Sequence, residues 1–201
     1  MLSKLAGVKS IVGLDLSYSG TGICQIDCKT GERSVYFCSF DKKQIGLPKI
    51  ERASMVALEV LRLRRKNPVV YFIEDYAFGS KKGENSLTGL GELGGVVKLC
   101  IWRATGAHAQ TVAISQWKKF LCNQYQLNKD AFKLEVYKKF GVDCGTNDEA
   151  AAVAIADYGY HILFGDQNSL RTLKKYETET IQKYRKAHSD VLVNLSEKLF
   201  G

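Results

Sequence analysis

The sequence predicts an α/β fold in which a mixed five-stranded sheet is flanked by helices and followed by a C-terminal helical segment. Residues 11–40 contain three successive strand-like runs separated by short polar turns, which predicts three antiparallel strands. Residues 69–73 form a continuous apolar run typical of a strand covered on both faces, and a helical pattern precedes it. A second helical pattern leads to a short strand at 109–114, so the later strands are predicted to be parallel.

Length and composition limit the function classes. The chain has 201 residues, which suits one domain, predicted at 1–165, with a basic amphipathic helical appendage at 166–201. A net charge of +8 favours a polyanionic partner such as nucleic acid. No run approaches the ~20 apolar residues of a membrane span, so we expect a cytoplasmic protein without a membrane partner.

The six cysteines indicate neither a disulfide framework nor a zinc site. They lie scattered in apolar runs without a CxxC pair, which predicts reduced thiols in the core. None of the three histidines stands near a cysteine pair at zinc-finger spacing, so zinc is not expected.

Asp15 is the first candidate functional residue. It ends the apolar run at 11–15, and a turn of small residues leads from it into a second run. An isolated acid in an apolar strand is costly to bury, so Asp15 is expected either to bind a cation or to accept hydrogen bonds from the turn beside it. This stretch alone leaves both interpretations open.

A glycine-bearing helix is predicted at 86–103. Its glycines are Gly89, Gly91, Gly94 and Gly95. Each costs about 1 kcal/mol relative to alanine inside a helix. Close approach of another backbone would explain them, either the strand beneath the helix or the same helix of a second subunit.

Three acids are predicted to meet in the fold. Asp15 ends the first strand and Glu74 ends the fourth. Asp148 opens a helix at 148–164, for which Asn147 is the predicted N-cap. A right-handed crossover would place the first and fourth strands side by side. Converging carboxylates repel one another unless a divalent cation neutralises them, and Mg²⁺ or Mn²⁺ prefers such oxygen ligands. Two such ions about 4 Å apart favour phosphodiester hydrolysis.

Five segments carry a family resemblance: GLDLSYSGTGICQID, VVYFIEDYAFG, GLGELGGVVK, KDAFKLEVYKKFG and NDEAAAVAIADYG. In this order, over residues 8–165, they resemble the RuvC-type Holliday junction resolvases, especially the shorter phage-encoded ones, which have the ribonuclease H-like fold. The resemblance implies a homodimer, with the glycine-bearing helix in its interface, that cuts opposed strands of four-way or other branched DNA junctions. It also implies two Mg²⁺ or Mn²⁺ ions per active site and, for a phage protein, action in the bacterial cytoplasm.

The resemblance assigns roles to individual residues. Asp15, Glu74 and Asp148 match the family's metal ligands, with Asp15 bridging both ions, and Lys133 matches its catalytic basic residue. The expected DNA contacts are two aromatic residues that would probe the junction's open centre and four lysines that would bind phosphates. They are Tyr76, Phe78, Lys81, Lys82, Lys118 and Lys119. Of the lysines, the last two also match the family's basic residue more loosely. A solvated surface charge is the alternative for each lysine, and packing in the core or dimer interface for the aromatic pair.

The chain departs from the family at Ala151, where the resemblance requires a second aspartate three residues after Asp148. Glu149 points about 100° away from Asp148 around the helix, and Asp157 lies about half a turn out of phase, so neither replaces it. The alanine is either natural or an inactivating substitution. The sequence therefore predicts a chain that binds junctions but cuts them poorly.

Two other function classes share features of this sequence. Sugar kinases and actin-like ATPases use a similar aspartate-bearing turn, but they need a second copy of the fold, for which this chain is too short. A non-catalytic relative that binds branched DNA is favoured by Ala151 and opposed by the three retained acids.

Overall fold

The computed structural model describes residues 7–62, 69–75, 84–106, 108–124, 128–165 and 171–200, without the side chains of 84–88, 129 and 196–200. The strands are β1 (Ser10–Asp15), β2 (Gly20–Asp27), β3 (Arg33–Ser39), β4 (Val69–Glu74) and β5 (Gln110–Val112). They form a five-stranded sheet in the order β3-β2-β1-β4-β5. The first three strands pair antiparallel, whereas β1, β4 and β5 run parallel. The predicted fold class is therefore confirmed.

Helices cover both faces of this sheet. The described helices are α1 (Lys42–Ile45), α2 (Lys49–Arg62), α3 (Glu84–Thr105), α4 (Ile114–Cys122), α5 (Lys129–Phe140), α6 (Asn147–Phe164), α7 (Lys175–Ala187) and α8 (Ser189–Phe200). One hydrophobic core joins α2 and α3 to one face. A larger core joins the other face to α6, with α4, α5, α7 and α8 around it. The sheet is thus buried between two helical layers.

The alternation of side chains along β1 separates the two cores. Ile11 belongs to the core beneath α6, whereas Val12 and Leu14 belong to the core beneath α2 and α3. Gly13 also faces α6, since its backbone contacts that helix. Because successive residues of a strand point to opposite faces, Asp15 follows on the α6 side.

Two glycines let α6 lie directly against the sheet. A Cβ added at Gly13 would come within 2.4 Å of the carbonyl oxygen of Ala152, and one at Gly22 within 2.0 Å of the carbonyl oxygen of Asp148. Contacts this short leave no room for any side chain. The helix itself is buried continuously from Ala150 to Phe164. Backbone-to-backbone contact therefore fixes the position of its first turn beside β1 and β2.

The glycines of α3 have a different environment. A Cβ at Gly89 would lie 3.4 Å from Nζ of Lys49 and 3.6 Å from Cε2 of Tyr18, which are ordinary contacts. Apart from the chain neighbours and the helix's own nearby backbone, no atom of the described chain lies within 4 Å of a Cβ added at Gly91 or Gly95. Packing on the sheet therefore does not explain Gly91 and Gly95.

The described part of the C-terminal segment forms two helices, α7 and α8, that pack on the domain. Ile181 and Tyr184 of α7 lie in the core beneath α6, and α8 adds Leu192 to the same core. The hydroxyl of Tyr184 also donates to the carbonyl of Thr111 in β5 at 3.0 Å. The apolar sides of these two helices thus complete the core. A domain division at residue 166 stays a prediction.

Buried ion pairs join α7 to α6. The carboxylate of Asp157 on α6 accepts hydrogen bonds from Arg33 of β3 at 2.6 Å and from Arg171 at 3.4 Å. Arg171 also donates to both carboxylate oxygens of Glu177 on α7, at 3.0 and 2.8 Å. Burial alone would raise the pKa of Glu177, but hydrogen bonds from Arg171 and Lys139 leave that pKa lowered. Glu177 therefore remains charged, and these ion pairs hold α6, β3 and α7 together.

The predicted reduced cysteines are confirmed, since all six are free thiols. Burial raises the pKa of Cys28 to about 12, so this thiol stays protonated at neutral pH. Among the described helices, none has the length and apolar character needed to cross a bilayer.

We expect Gly22→Ala to lower the free energy of unfolding by about 1–3 kcal/mol or more, because the new methyl group would overlap the backbone of Asp148. Gly89→Ala is the control, since its methyl group meets only side-chain ends at ordinary distances and alanine favours a helix by about 1 kcal/mol. Urea unfolding followed by circular dichroism measures both. Equal stability of Gly22→Ala and the original chain would contradict the close contact.

Candidate functional site

Two of the predicted site residues end neighbouring parallel strands. β1 and β4 pair in parallel, and Asp15 and Glu74 are their last residues. Two positions earlier, Gly13 and Phe72 contact α6. Since side chains alternate along a strand, Asp15 and Glu74 lie on that same face. The carboxyl edge of the sheet therefore brings these two acids together beneath the start of α6.

Helix α6 brings the third acid to this edge. The hydroxyl of Thr146 accepts a hydrogen bond from the N–H of Glu149 at 3.1 Å, and the Glu149 carboxylate accepts one from the N–H of Thr146 at 2.7 Å. This reciprocal pair is a capping box, so Thr146 is the N-cap. The predicted cap, Asn147, is instead the first helical residue. Asp148 follows it in the first turn, where the helix dipole favours a negative charge.

One cleft contains all three acids. Its volume is about 690 Å³. Its described lining consists of Asp15, Phe37, Glu74, Ile114, Trp117, Lys118, Phe132, Thr146, Asn147, Asp148 and Ala151. The walls come from the ends of β1 and β4, from β3, and from α4, α5 and the first turns of α6. Acids from three distant parts of the sequence thus share one cavity.

Ala151 lines the cleft one turn after Asp148. The neighbouring acids are used elsewhere: Glu149 forms the capping box, and Asp157 pairs with Arg33 in the core. Neither belongs to the described lining of the cleft. Position 151 therefore adjoins the three acids without contributing a carboxylate.

The three lysines proposed for the site differ in their position relative to the cleft. Lys118 lines the cleft, whereas Lys119 and Lys133 are not among its described lining residues. The ammonium of Lys118 lies 5.5 Å from the centre of the Trp117 ring. Lys133 lies on α5 near Cys144, where burial raises the pKa of the thiol to about 11 and Lys133 opposes that rise. Among the residues that the structure describes, Lys118 therefore supplies the positive charge in the cleft wall.

The remaining DNA contacts expected from the sequence, Tyr76, Phe78, Lys81 and Lys82, lie outside the described residues. The cleft contains an aromatic residue that sequence analysis missed. Phe37 of β3 is 38% exposed and pairs with Gly22 of β2, which in turn pairs with Asp15. The register of the three antiparallel strands could have predicted this position, because the pairing places Phe37 across β2 from Asp15.

The donor atoms in the cleft fit a divalent cation. Asp15, Glu74 and Asp148 supply carboxylate oxygens, and Oδ1 of Asn147 is buried without a hydrogen-bond partner within the described chain. Oxygen ligands of these kinds suit Mg²⁺ and Mn²⁺. In the described residues, however, no group of three or more histidine, cysteine, aspartate or glutamate side chains is already arranged to hold a metal ion. A cation would have to draw the carboxylates together or use other ligands as well.

Comparison with known proteins supports the architecture. A scan of protein-family models finds no match to the sequence, and a sequence search of curated proteins finds none either. Among solved structures, T. thermophilus RuvC in complex with a Holliday junction substrate matches with a TM-score of 0.60 and 18% identity, over 78% of this chain and 96% of that one. A second Thermus thermophilus RuvC structure matches with a TM-score of 0.59 and 19% identity, over 80% and 97%. At such identities the likeness concerns architecture, and the chain has a RuvC-like, ribonuclease H-like fold.

Proposed function

We propose that the chain is a divalent-metal-dependent endonuclease that cuts four-way or other branched DNA junctions. The observation that carries this proposal is the meeting of Asp15, Glu74 and Asp148 in one cleft of a RuvC-like fold. A structural neighbour was solved with a Holliday junction substrate. The net charge of +8 supports a polyanionic substrate, because phosphate contacts dominate the affinity for DNA.

The three acids would hold two Mg²⁺ or Mn²⁺ ions, with Asp15 contributing to both. Such ions, when bound, activate a water molecule and neutralise charge that develops on the phosphate. Lys118 would present its ammonium to the same phosphate from the wall of the cleft. Lys133 is the other candidate for that role, on the family resemblance alone.

DNA recognition is proposed to depend on shape and not on base sequence. Lys118 and Lys119 follow one another on α4 and would bind backbone phosphates, which carry no sequence information. The partly exposed ring of Phe37 would pack against the sugar or base beside the phosphate in the cleft. The predicted contacts outside the described residues, Tyr76, Phe78, Lys81 and Lys82, would extend this surface.

A homodimer is proposed on the exposed face of α3. Gly91, Gly95, Leu99 and Trp102 follow one another at spacings of three or four, so they share one side of the helix. Leu99 and Trp102 are 46% and 45% exposed, and the two glycines leave open space among the described residues. Small residues flanked by exposed apolar ones allow a second copy of α3 to approach closely. Two-fold symmetry would then direct two clefts at opposed strands of a junction.

A non-catalytic junction-binding protein is the second candidate. Two observations favour it: the alanine at position 151 and the lack, in the described residues, of a preformed metal-binding group. The two candidates share their DNA-binding behaviour and differ in cleavage, so the experiments below test each property separately.

Binding should favour a four-way junction over a duplex of the same sequence and should weaken steeply with salt. If roughly six or more phosphates are contacted, affinity should fall by about 10³-fold or more between about 50 mM and about 200 mM salt. Fluorescence anisotropy in the presence of EDTA measures binding without cleavage. Equal affinity for the junction and the duplex at physiological salt would contradict shape-selective recognition.

Ala151→Asp should raise single-turnover cleavage of a junction strongly at saturating Mg²⁺, with little change in DNA affinity. The added carboxylate lies one turn from Asp148 and would hold the cations and the attacking water, whose misplacement by about 1 Å can cost on the order of 10²-fold in rate. Ala187→Asp, at an exposed position of α7, controls for the added charge. Asp15→Asn in the Ala151→Asp background should abolish cleavage while binding survives. An unchanged rate in Ala151→Asp would show that position 151 is not a ligand position.

The chain should sediment as a dimer at micromolar concentration, and Gly95→Leu should shift it towards monomer because the new side chain fills the space for a second α3. Leu58→Ser is the matched control, since Leu58 is 67% exposed but lies on α2. Analytical ultracentrifugation distinguishes the species. A monomeric original chain, or equal dissociation by both variants, would argue against the α3 interface.

A further inference from the structure

The cleft contains an amide oxygen whose position is not explained by the protein around it. Oδ1 of Asn147 is buried and has no hydrogen-bond partner within the described chain. A buried acceptor left unsatisfied is costly, so its presence calls for a ligand or another physical cause. Asn147 lines the cleft together with Asp15, Glu74 and Asp148. The unpartnered oxygen therefore belongs to a residue that lines the same cavity as the three carboxylates.

Helix capping does not account for this asparagine. Thr146 caps α6, and its hydroxyl accepts the N–H of Glu149. The return bond of the capping box goes from the N–H of Thr146 to Glu149. Both bonds are made without the Asn147 side chain, so its amide oxygen is not required for the helix to start.

Asn147 is also close to position 151 around the helix, where the family resemblance requires a second aspartate. At 3.6 residues per turn, position 151 lies about 40° from position 147 and about 60° from position 148 around the helix axis. Ala151 therefore lies between Asn147 and Asp148 when α6 is viewed down its axis. The small side chain of Ala151 leaves space between the side chains of Asn147 and Asp148, and both of these residues line the cleft.

We propose that Oδ1 of Asn147 is a direct ligand for the divalent cation and compensates for the acid missing at position 151. This inference rests on the proposed metal-dependent function. Amide carbonyl oxygens are accepted ligands of hard cations, but they contribute no negative charge. Cation affinity should thus be lower than with a carboxylate at this place and higher than with no oxygen donor there.

A second residue of the cleft, Trp117, also has a side-chain atom without a partner in the described part of the chain, but that atom cannot bind a cation. Nε1 of Trp117 is also buried without a hydrogen-bond partner among the described residues, and Trp117 also lines the cavity. An indole N–H is a donor only, so it cannot bind a cation. Of the two atoms, Oδ1 of Asn147 is the one with ligand chemistry.

The test is direct titration of DNA-free protein with Mn²⁺, by calorimetry and by the electron paramagnetic resonance signal of free Mn²⁺. Asn147→Ala should weaken the affinity at least about 10-fold, since even residues that only support a metal ligand cost 10–100-fold when removed. Asn147→Asp keeps the shape and adds a charge, so it should tighten binding. Asn194→Ala, at an exposed asparagine of α8, should leave the affinity unchanged.

Asp15→Asn, titrated in parallel, separates this inference from the proposed function. If Asp15→Asn abolishes binding while Asn147→Ala and Asn147→Asp both leave the affinity unchanged, the amide is not a ligand and the carboxylate site stands. If Asp15→Asn has no effect, or if the original chain binds no Mn²⁺ at millimolar concentration, the proposed metal site and this inference both fail. Circular dichroism without cation checks folding. Should Asn147→Ala be unfolded, the shape-preserving Asn147→Asp decides: tighter binding supports the inference and unchanged binding overturns it.

Discussion

The contact of α6 with the backbone of β1 and β2 determines where the acids of this protein meet. Gly13 and Gly22 are the residues whose missing side chains allow it. Gly22 is also the partner of Asp15 in the β1–β2 ladder, and its backbone contacts Asp148. The contact that seats the helix therefore also sets the separation of two of the three acids. The site is built on rigid secondary structure, which holds catalytic groups more accurately than loops do.

The far half of α6 is held by buried ion pairs in addition to close packing. Asp157 pairs with Arg33 of β3 and with Arg171, which also binds Glu177 of α7. Removing one partner of a buried ion pair typically costs about 3–5 kcal/mol, because the other charge is left uncompensated. The network thus links α6 to β3 and α7 and adds to the packing that holds the helix on the sheet. It also gives α7 a structural role as part of the scaffold behind the cleft.

The sequence contained most of the fold but only part of the site. The strands and the meeting of the three acids could be predicted, because alternation, continuous apolar runs and strand-end acids are local patterns. The N-cap of α6 was assigned to Asn147 instead of Thr146, since both residues are good caps and only the bond to Glu149 distinguishes them. Lys118, Lys119 and Lys133 were all candidates in the sequence. Which of them lines the cleft depends on the direction in which α4 follows β5, and that direction is a property of the packed structure. The same holds for the C-terminal helices, whose apolar side could not be assigned to the core from periodicity alone.

The charge balance of the cleft is compatible with the proposed binding of both cations and DNA. Three carboxylates would repel a phosphate backbone, and cations between them and the phosphate reverse that repulsion. The N-terminus of α6 lowers the cost of holding Asp148 charged, and Lys118 adds a positive charge at the wall. With alanine at 151 and a neutral amide at 147, the cleft carries less negative charge than the four-carboxylate arrangement that the family resemblance implies. In the proposed function, its attraction for cations would be weaker for that reason, and so would its repulsion of DNA when no cation is bound.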